Sequence, residues 1–280
     1  MEKKMHYVMS FYHLSLAVRD TLEYVQNREN YPLDAYKAKA NSIKAGLAEN
    51  SPFVAFCENN GEVGQKVLTQ MKDLYNLVYG ERPRFIHIEE DKLTVDHSQN
   101  IKVLDLIIPL KVSLYNIILA YVNQMSEEEK DLDCMDLVEL EYKYFAIVIA
   151  FIISDYLLND RFVKFNQEMR DNKGQESVES NFTVSEMQKL VGMYGYIKEN
   201  IGKRYSEFNN LDDQFSYGVD LISGKKKPEG EMKLLDAVKV VPATYQREIT
   251  PIEREYKLLH QKVWKKLIEF ENNLRNQEKN

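Results

Sequence analysis

The chain has 280 residues, of which 44% are hydrophobic and 29% charged, and its formal net charge is −7. This composition excludes a disordered chain and is sufficient for one large domain or two modest ones. The mild negative charge disfavours nucleic-acid binding. The two cysteines, Cys57 and Cys134, are isolated, so neither a disulfide framework nor a zinc site is indicated. We expect a protein of a reducing compartment, the cytoplasm, with no cofactor.

Apolar residues recur at helical spacing through most of the N-terminal third. They predict four helices, over 6–27, over 34–49, from Ser51-Pro52 to the turn at 59–61, and from 63 to Gly80. His6 and His13 lie on nearly the same face of the first of these helices. They are about 10 Å apart along its axis, which is too far for a shared metal ion. We therefore expect no metal site.

The helical pattern breaks at 85–95, where short apolar runs flank an acidic turn. If residue 88 pairs with 93 and residue 86 with 95, then Ile86, Ile88, Leu93 and Val95 share one face of a two-stranded sheet. This register predicts a small β-hairpin that packs on the helices.

Arg82 and His87 have the R-x4-H spacing. This spacing resembles that of helical HEPN-type ribonucleases, in which the arginine and histidine project from a helix and act on the RNA 2′-OH and phosphate. The resemblance is confined to these two residues. Pro83 falls inside the motif and a strand pattern follows it, so the sequence does not favour the helical presentation that the resemblance requires. The alternative is a hairpin with a solvent-exposed histidine.

Two strongly apolar helices are predicted over 99–125 and 136–169. The most apolar run of the second, 144–158, is shorter than the ~20 residues needed to span a bilayer, so we expect no membrane insertion. Asp105 and Asp155 lie within these helices, where buried carboxylates would need partners or a raised pKa. They indicate either a polar ligand pocket or a satisfied ion pair or exposed position, and the sequence favours the second interpretation.

The C-terminal part begins after a polar linker at 171–181. A helix is predicted over 187–208, followed by an irregular segment at 209–246 that includes a short strand at 238–241. The last helix is predicted to run from Pro251 to about residue 277, with an apolar seam at heptad-like spacing.

Three capping boxes mark predicted helix starts. In each, a hydroxyl residue is followed three positions later by a glutamate, which allows reciprocal bonds to the first backbone N–H groups. They begin at Ser126, Thr183 and Thr250, and the third places Pro251 at the first helical position.

These observations predict a predominantly all-α fold, a multi-helix bundle with a small β-hairpin near residues 85–95 and long C-terminal helices. Residues 1–170 would form the main bundle and 183–280 a long-helix region that is either separate from the bundle or continuous with it. No catalytic spacing of nucleophile, base or phosphate-binding loop occurs, so an enzymatic function is unsupported.

The surplus of long helix favours an interaction protein, namely an adaptor, assembly factor or inhibitor. Its partner would be another protein or a second copy of the chain. The candidate partner-binding residues lie in a lysine run and on the last helix: Lys225, Lys226, Lys227, Tyr256, Val263, Trp264 and Phe270. The alternative is a ligand-binding protein or enzyme with a buried polar pocket at Asp105 and Asp155, and a third hypothesis is a HEPN-like ribonuclease using Arg82 and His87.

Overall fold

The computed structural model describes residues 3–26, 32–90, 92–158 and 184–277. The described chain is predominantly α-helical with one β-hairpin, which confirms the predicted fold class. The helices of the N-terminal half are α1 Lys3–Asp20, α2 Leu22–Val25, α3 Leu33–Gly46, α4 Pro52–Asn59, α5 Gly61–Val78 and α6 Asn100–Val122. Those that follow are α7 Leu132–Leu157, α8 Val184–Asn200, α9 Ser206–Ile222 and α10 Leu234–Gln277.

Contacts divide the chain into two compact units. The first comprises Met1–Tyr142 together with Tyr256–Asn280, and the second comprises Lys143–Glu255. Helices α7 and α10 therefore each contribute residues to both units. The predicted linker at 171–181 and the capping box at Thr183 lie outside the described residues.

The hairpin, made of β1 Ile86–Glu89 and β2 Lys92–Val95, has the predicted register, with Ile86 opposite Val95 and Ile88 opposite Leu93. Its shared face is only partly buried. Ile86 is fully buried, whereas Ile88 is 42% exposed near the turn. The end of the hairpin opposite the turn, at Ile86, is therefore the part that packs into the core.

The start of α4 confirms the predicted proline-headed helix. Ser51 Oγ accepts a hydrogen bond of 3.0 Å from the backbone N–H of Val54, and Pro52 occupies the first turn. The next turn brings α4 and α5 together so closely that a Cβ on Gly64 would lie 1.8 Å from the carbonyl oxygen of Cys57. Only glycine fits there.

The predicted start of the last helix at Pro251 is wrong. Helix α10 spans 44 residues and passes through both Pro242 and Pro251, a length of ~66 Å. Thr250 Oγ1 donates to the carbonyl oxygen of Gln246 (3.1 Å) instead of capping a new helix. The predicted strand at 238–241 is also helical, because Val238 and Val241 are both buried and lie on one helical face.

Two further predictions about helix boundaries need correction. The helix predicted over 187–208 ends at Asn200 and a 3₁₀ turn, Gly202–Arg204, separates it from α9, which occupies much of the segment predicted to be irregular. A Cβ on Gly202 would lie 2.4 Å from the ring of Phe208, so this turn depends on glycine. The capping box at Ser126 exists, but it heads the 3₁₀ turn Glu127–Glu129 and not a long helix.

Helix α6 is the apolar centre of the first unit. Within the described residues, the stretch His97–Val122 is long and apolar enough to cross a membrane, with a mean hydropathy of 1.8 in its most apolar window. Of that window, 61% is buried inside the protein. A helix in the core of a globular fold has the same property, so the stretch is weak evidence for membrane insertion.

Candidate functional site: a groove beside Trp264

The two aspartates expected in a buried pocket are both exposed. Asp105 is two residues from the buried Val103 and Ile107, and Asp155 is two residues from the buried Ile153 and Leu157. Two residues correspond to about 200° around a helix, so each aspartate points away from its apolar neighbours. Their exposure agrees with the exposed position that the sequence favoured over a buried pocket. Partial burial of its carboxyl nevertheless raises the pKa of Asp155.

The candidate partner-binding residues of α10 fall into two groups. Val263 is fully buried and Tyr256 is 7% exposed, so both belong to the core of the first unit. Phe270 packs against His6 of α1, with ring centroids 5.4 Å apart. Trp264, in contrast, is 46% exposed. Of these four residues, Trp264 has the largest surface available to a partner.

The other candidates lie at exposed positions. Lys225, Lys226 and Lys227 form an exposed segment after α9, and Lys226 makes an ion pair of 3.3 Å with Asp220. His87 is exposed on strand β1. Arg82 precedes that strand in a bend, so neither residue has the helical presentation of HEPN-type ribonucleases.

A buried charge network, which the sequence did not reveal, lies in the first unit. Lys111 of α6 is fully buried, and its Nζ donates to both carboxylate oxygens of Glu141 on α7 at 2.7 Å. The same Nζ donates to the backbone carbonyl oxygen (2.9 Å) and to Oγ (2.6 Å) of Ser15 on α1. Burial lowers the pKa of Lys111 to about 8, against the opposing effect of Glu141.

Arg19 extends this network toward the surface. Its guanidinium lies 2.9 Å from Asp20 and 3.7 Å from Glu141, and its Cζ is 4.9 Å from the ring centroid of Tyr256. Burial by itself lowers the pKa of Arg19, but Tyr256, Asp20 and Glu141 outweigh it and raise the pKa well above its ordinary value. The hydroxyls of Tyr12 and Tyr256 are hydrogen-bonded at 2.9 Å. The network thus joins α1, α6, α7 and α10.

Beside this network a groove with a volume of ≈ 620 Å³ opens in the first unit. Its floor is α1, and its walls are α3, the start of α4 and the C-terminal part of α10. The walls and floor are mainly apolar, and include Met9, Leu14, Phe53, Trp264, Leu267 and Ile268. Polar side chains mark its edges, namely His6, His13, Asp20, Lys39 and Glu271.

The polar edge nearest the charge network is already paired. Lys39 Nζ lies 3.0 Å from Glu23 and 3.9 Å from Asp20, which in turn pairs with Arg19. This edge therefore offers hydrogen bonds rather than an uncompensated charge. An arrangement of this kind suits an apolar occupant with few polar groups better than an ion.

Trp264 is held at the rim by two imidazoles. His13 contacts it edge-on with ring centroids 5.4 Å apart, and His260 stacks on it at 6.1 Å. These contacts fix the indole at the mouth of the groove.

The described residues contain no group of three or more His, Cys, Asp or Glu side chains that could hold a metal ion. Comparison of the chain with protein-family models, with curated proteins and with solved structures gave no match. The function must therefore be argued from the groove itself.

Proposed function

We propose that this protein is a cytoplasmic interaction protein, an adaptor, assembly factor or inhibitor, that binds an apolar helical segment of another protein in the groove beside Trp264. One observation carries the proposal. Trp264 and Ile268, which are 46% and 44% exposed, lie one helical turn apart at the open side of an apolar groove. Tryptophan is enriched among the residues that dominate binding energy at interfaces.

The shape of the groove supports a helical occupant. Its floor follows α1 from His6 to Asp20, a length of ~21 Å at the rise of an α-helix. Helices on either side of such a floor form the kind of channel in which an amphipathic helix lays its apolar face. Small residues on α3, Ala38, Ser42 and Ala45, line one wall and leave room for side chains of the occupant.

The test compares two substitutions on the same helix. Trp264→Ala removes the rim residue, whereas Leu258→Ala removes an apolar side chain that is 62% exposed and does not line the groove. A candidate partner captured by the wild-type chain is titrated against each variant by calorimetry. We expect Trp264→Ala to weaken binding by at least about 30-fold, and Leu258→Ala to leave it within about twofold. Equal effects of the two substitutions would rule out the groove as the binding site.

Binding of a second copy of the chain is distinguished by mass. If the partner is the protein itself, light scattering shows a dimer that Trp264→Ala converts to a monomer and Leu258→Ala does not. A wild-type chain that is monomeric at every concentration excludes a second copy of the chain as the partner.

The groove volume also favours a second candidate function, the binding of a small apolar ligand. A volume of ≈ 620 Å³ lies within the range of about 300–1,000 Å³ that is typical of small-molecule sites. Native mass spectrometry separates the two candidates, since a retained ligand adds a few hundred daltons and a protein partner adds thousands. Ser42→Phe, which fills the groove from α3, should abolish retention of such a ligand.

A further inference from the structure

Three of the chain's five histidines meet where α1 contacts the C-terminal part of α10. His13 of α1 and His260 of α10 both pack against Trp264. His6, two turns before His13, packs against Phe270. We refer to His6, His13 and His260 as the histidine cluster. The cluster places three imidazoles in the contact that fastens α10 to α1.

The surroundings of the cluster do not compensate a positive charge on the imidazoles. Among the described residues, no carboxylate forms an ion pair with His6, His13 or His260. The nearest acidic residue that lines the groove on α1 is Asp20, which already pairs with Arg19 and lies 3.9 Å from Lys39 of α3. Nδ1 of His6 is buried and makes no hydrogen bond in the described part of the chain.

The remaining charged groups near the cluster have opposite effects. Glu271 of α10 lines the same groove but is exposed, and its charge is therefore screened by solvent. Arg19 lowers the pKa of His260, whereas Asp20 raises it, and burial, the largest effect, lowers it. Protonation would therefore place two or three like charges in a contact that is packed for neutral rings.

We propose that the histidine cluster is an acid-sensitive switch, which holds the C-terminal part of α10 on α1 when the imidazoles are neutral and releases it when they are protonated. The groove beside Trp264 has α1 as its floor and α10 as a wall, so release would open it. The switch itself does not depend on the proposed partner, because it is a property of the packing within the first unit.

The direction of the pH effect follows from the neutral form being favoured in the packed state. Burial, His260 and His6 together lower the pKa of His13 from 6.5 to about 4. At pH 7.5 the imidazole of His13 is mainly neutral in both the packed and the released state, so the contact is undisturbed. As the pH falls from 6.5 toward 4, only the released state takes up the proton. At pH 5 this linkage shifts the equilibrium toward release by up to about 30-fold for His13 alone.

The ion pairs of Lys262 and Lys266 with Asp131 and Asp133 do not titrate in the same range, because the pKa values of both aspartates are lowered. Lys262 and Lys266 bond to Asp133, and these hydrogen bonds hold the pKa of Asp133 below its usual value of 3.8. Asp133 therefore stays ionised between pH 6.5 and 4. A change in that interval is assigned to histidines and not to these carboxylates.

The experiment is hydrogen–deuterium exchange of the full chain at pH 7.5 and pH 5, corrected for the intrinsic pH dependence of exchange. We expect protection of residues 256–277 to fall by about tenfold or more at pH 5, in line with the shift calculated for His13. Protection of α6, the internal reference, should change little. In the double variant His13→Gln and His260→Gln, protection of 256–277 should be the same at the two pH values. His87→Gln, at an exposed histidine of the hairpin, is the matched control and should behave as the wild type.

Two results would overturn the proposal. One is wild-type protection of 256–277 that is unaffected by pH. The other is an acid-induced loss that persists in the double variant. If the double variant does not fold, NMR titration of the wild-type histidines decides the question, because a His13 that titrates at its ordinary value near 6.5 is incompatible with the switch.

Discussion

Removing the negative charge at Glu141 should destabilise the protein far more than removing the charge of a solvent-exposed carboxylate would. The Glu141 side chain is only 3% exposed and the Lys111 side chain is fully buried, so water cannot replace either partner. Glu141→Gln would remove the carboxylate charge beside the buried Lys111 ammonium and leave neutral acceptors, among them the two of Ser15. It would also leave Arg19 with Asp20 as its nearest acidic partner. Breaking a buried pair in this way costs about 3–5 kcal/mol of unfolding free energy.

The same reasoning predicts that removing both charges costs much less. Lys111→Met and Glu141→Leu keep the approximate volumes of the side chains and leave neither partner as an unpaired ion. Two charges taken out of water each carry a desolvation penalty that their attraction only partly offsets. We therefore expect the double variant to lie within about 1 kcal/mol of the wild type, although each single substitution costs several times as much.

The assay is urea-induced unfolding monitored by far-ultraviolet circular dichroism at pH 7.5. It is applied to Glu141→Gln and to the four members of a double-mutant cycle, namely the wild type, Lys111→Met, Glu141→Leu and the double variant. The quantity of interest is the coupling free energy, which is the change in the double variant minus the sum of the changes in the two single variants. Effects that each substitution has independently of the other cancel in this difference. A loss below 1 kcal/mol in Glu141→Gln would contradict the buried pair. A double variant as unstable as the sum of the single variants would contradict the argument about desolvation.

The remaining predictions concern packing, pH and backbone space. Val263→Asp should cost about 4 kcal/mol or more and abolish a cooperative thermal transition of the first unit, whereas Leu258→Asp should leave the melting temperature nearly unchanged because Leu258 is 62% exposed. Because the pKa of Lys111 is lowered in the folded protein, the unfolded chain binds more protons than the folded chain above pH 8. The free energy of unfolding should therefore rise more steeply between pH 8 and 9.5 in the wild type than in Lys111→Met. The difference in slope is at most about 1.4 kcal/mol per pH unit. Gly192→Ala in α8, where a Cβ meets no atom within 4 Å, should stabilise the protein by up to about 1 kcal/mol in urea unfolding. Gly64→Ala should destabilise it strongly in the same assay, because its Cβ would collide with backbone.

The elements that sequence reasoning predicted well are those whose signals are local. The hairpin register followed from the alternation of Ile86, Ile88, Leu93 and Val95, and it is confirmed residue for residue. The cap at Ser51 depends on the hydroxyl and on the proline after it, and it is also confirmed. In both cases the interacting groups lie within a few residues, so the pattern contains the information that decides the structure.

Predictions failed where tertiary packing decided between two local possibilities. Thr250 has the residues of a capping box, but Val238 and Val241 upstream of it are buried on one helical face, and α10 continues through Pro251. A single sequence gives no measure of how much burial a segment will gain. Helix ends are consequently less predictable than helix cores.

The buried charges show a similar limit. Asp105 was singled out because it interrupts an apolar run, as does Lys111 in the same helix. The helical wheel separates them. All four positions one turn away from Lys111 are buried, namely Ile107, Ile108, Leu114 and Tyr115, whereas only Ile108 is buried among the same positions around Asp105. A wheel drawn for the whole helix would have indicated Lys111 as the buried charge. Its partners Glu141 and Ser15 are distant in sequence and could not be predicted from it.

The groove was also beyond the sequence, because it depends on how α10 packs against α1. The apolar seam of α10 predicted a surface for a partner, but in the structure Val263 and Leu267 of this seam are buried within the first unit. Trp264 lies beside the seam and not in it, so it remains 46% exposed. Substitutions in the seam and at its edge must therefore have different effects. A loss of binding in Val263→Asp would reflect a loss of folded protein. Only the comparison of Trp264→Ala with Leu258→Ala at pH 7.5, the pH at which the histidine switch is expected to be closed, isolates the contribution of the groove.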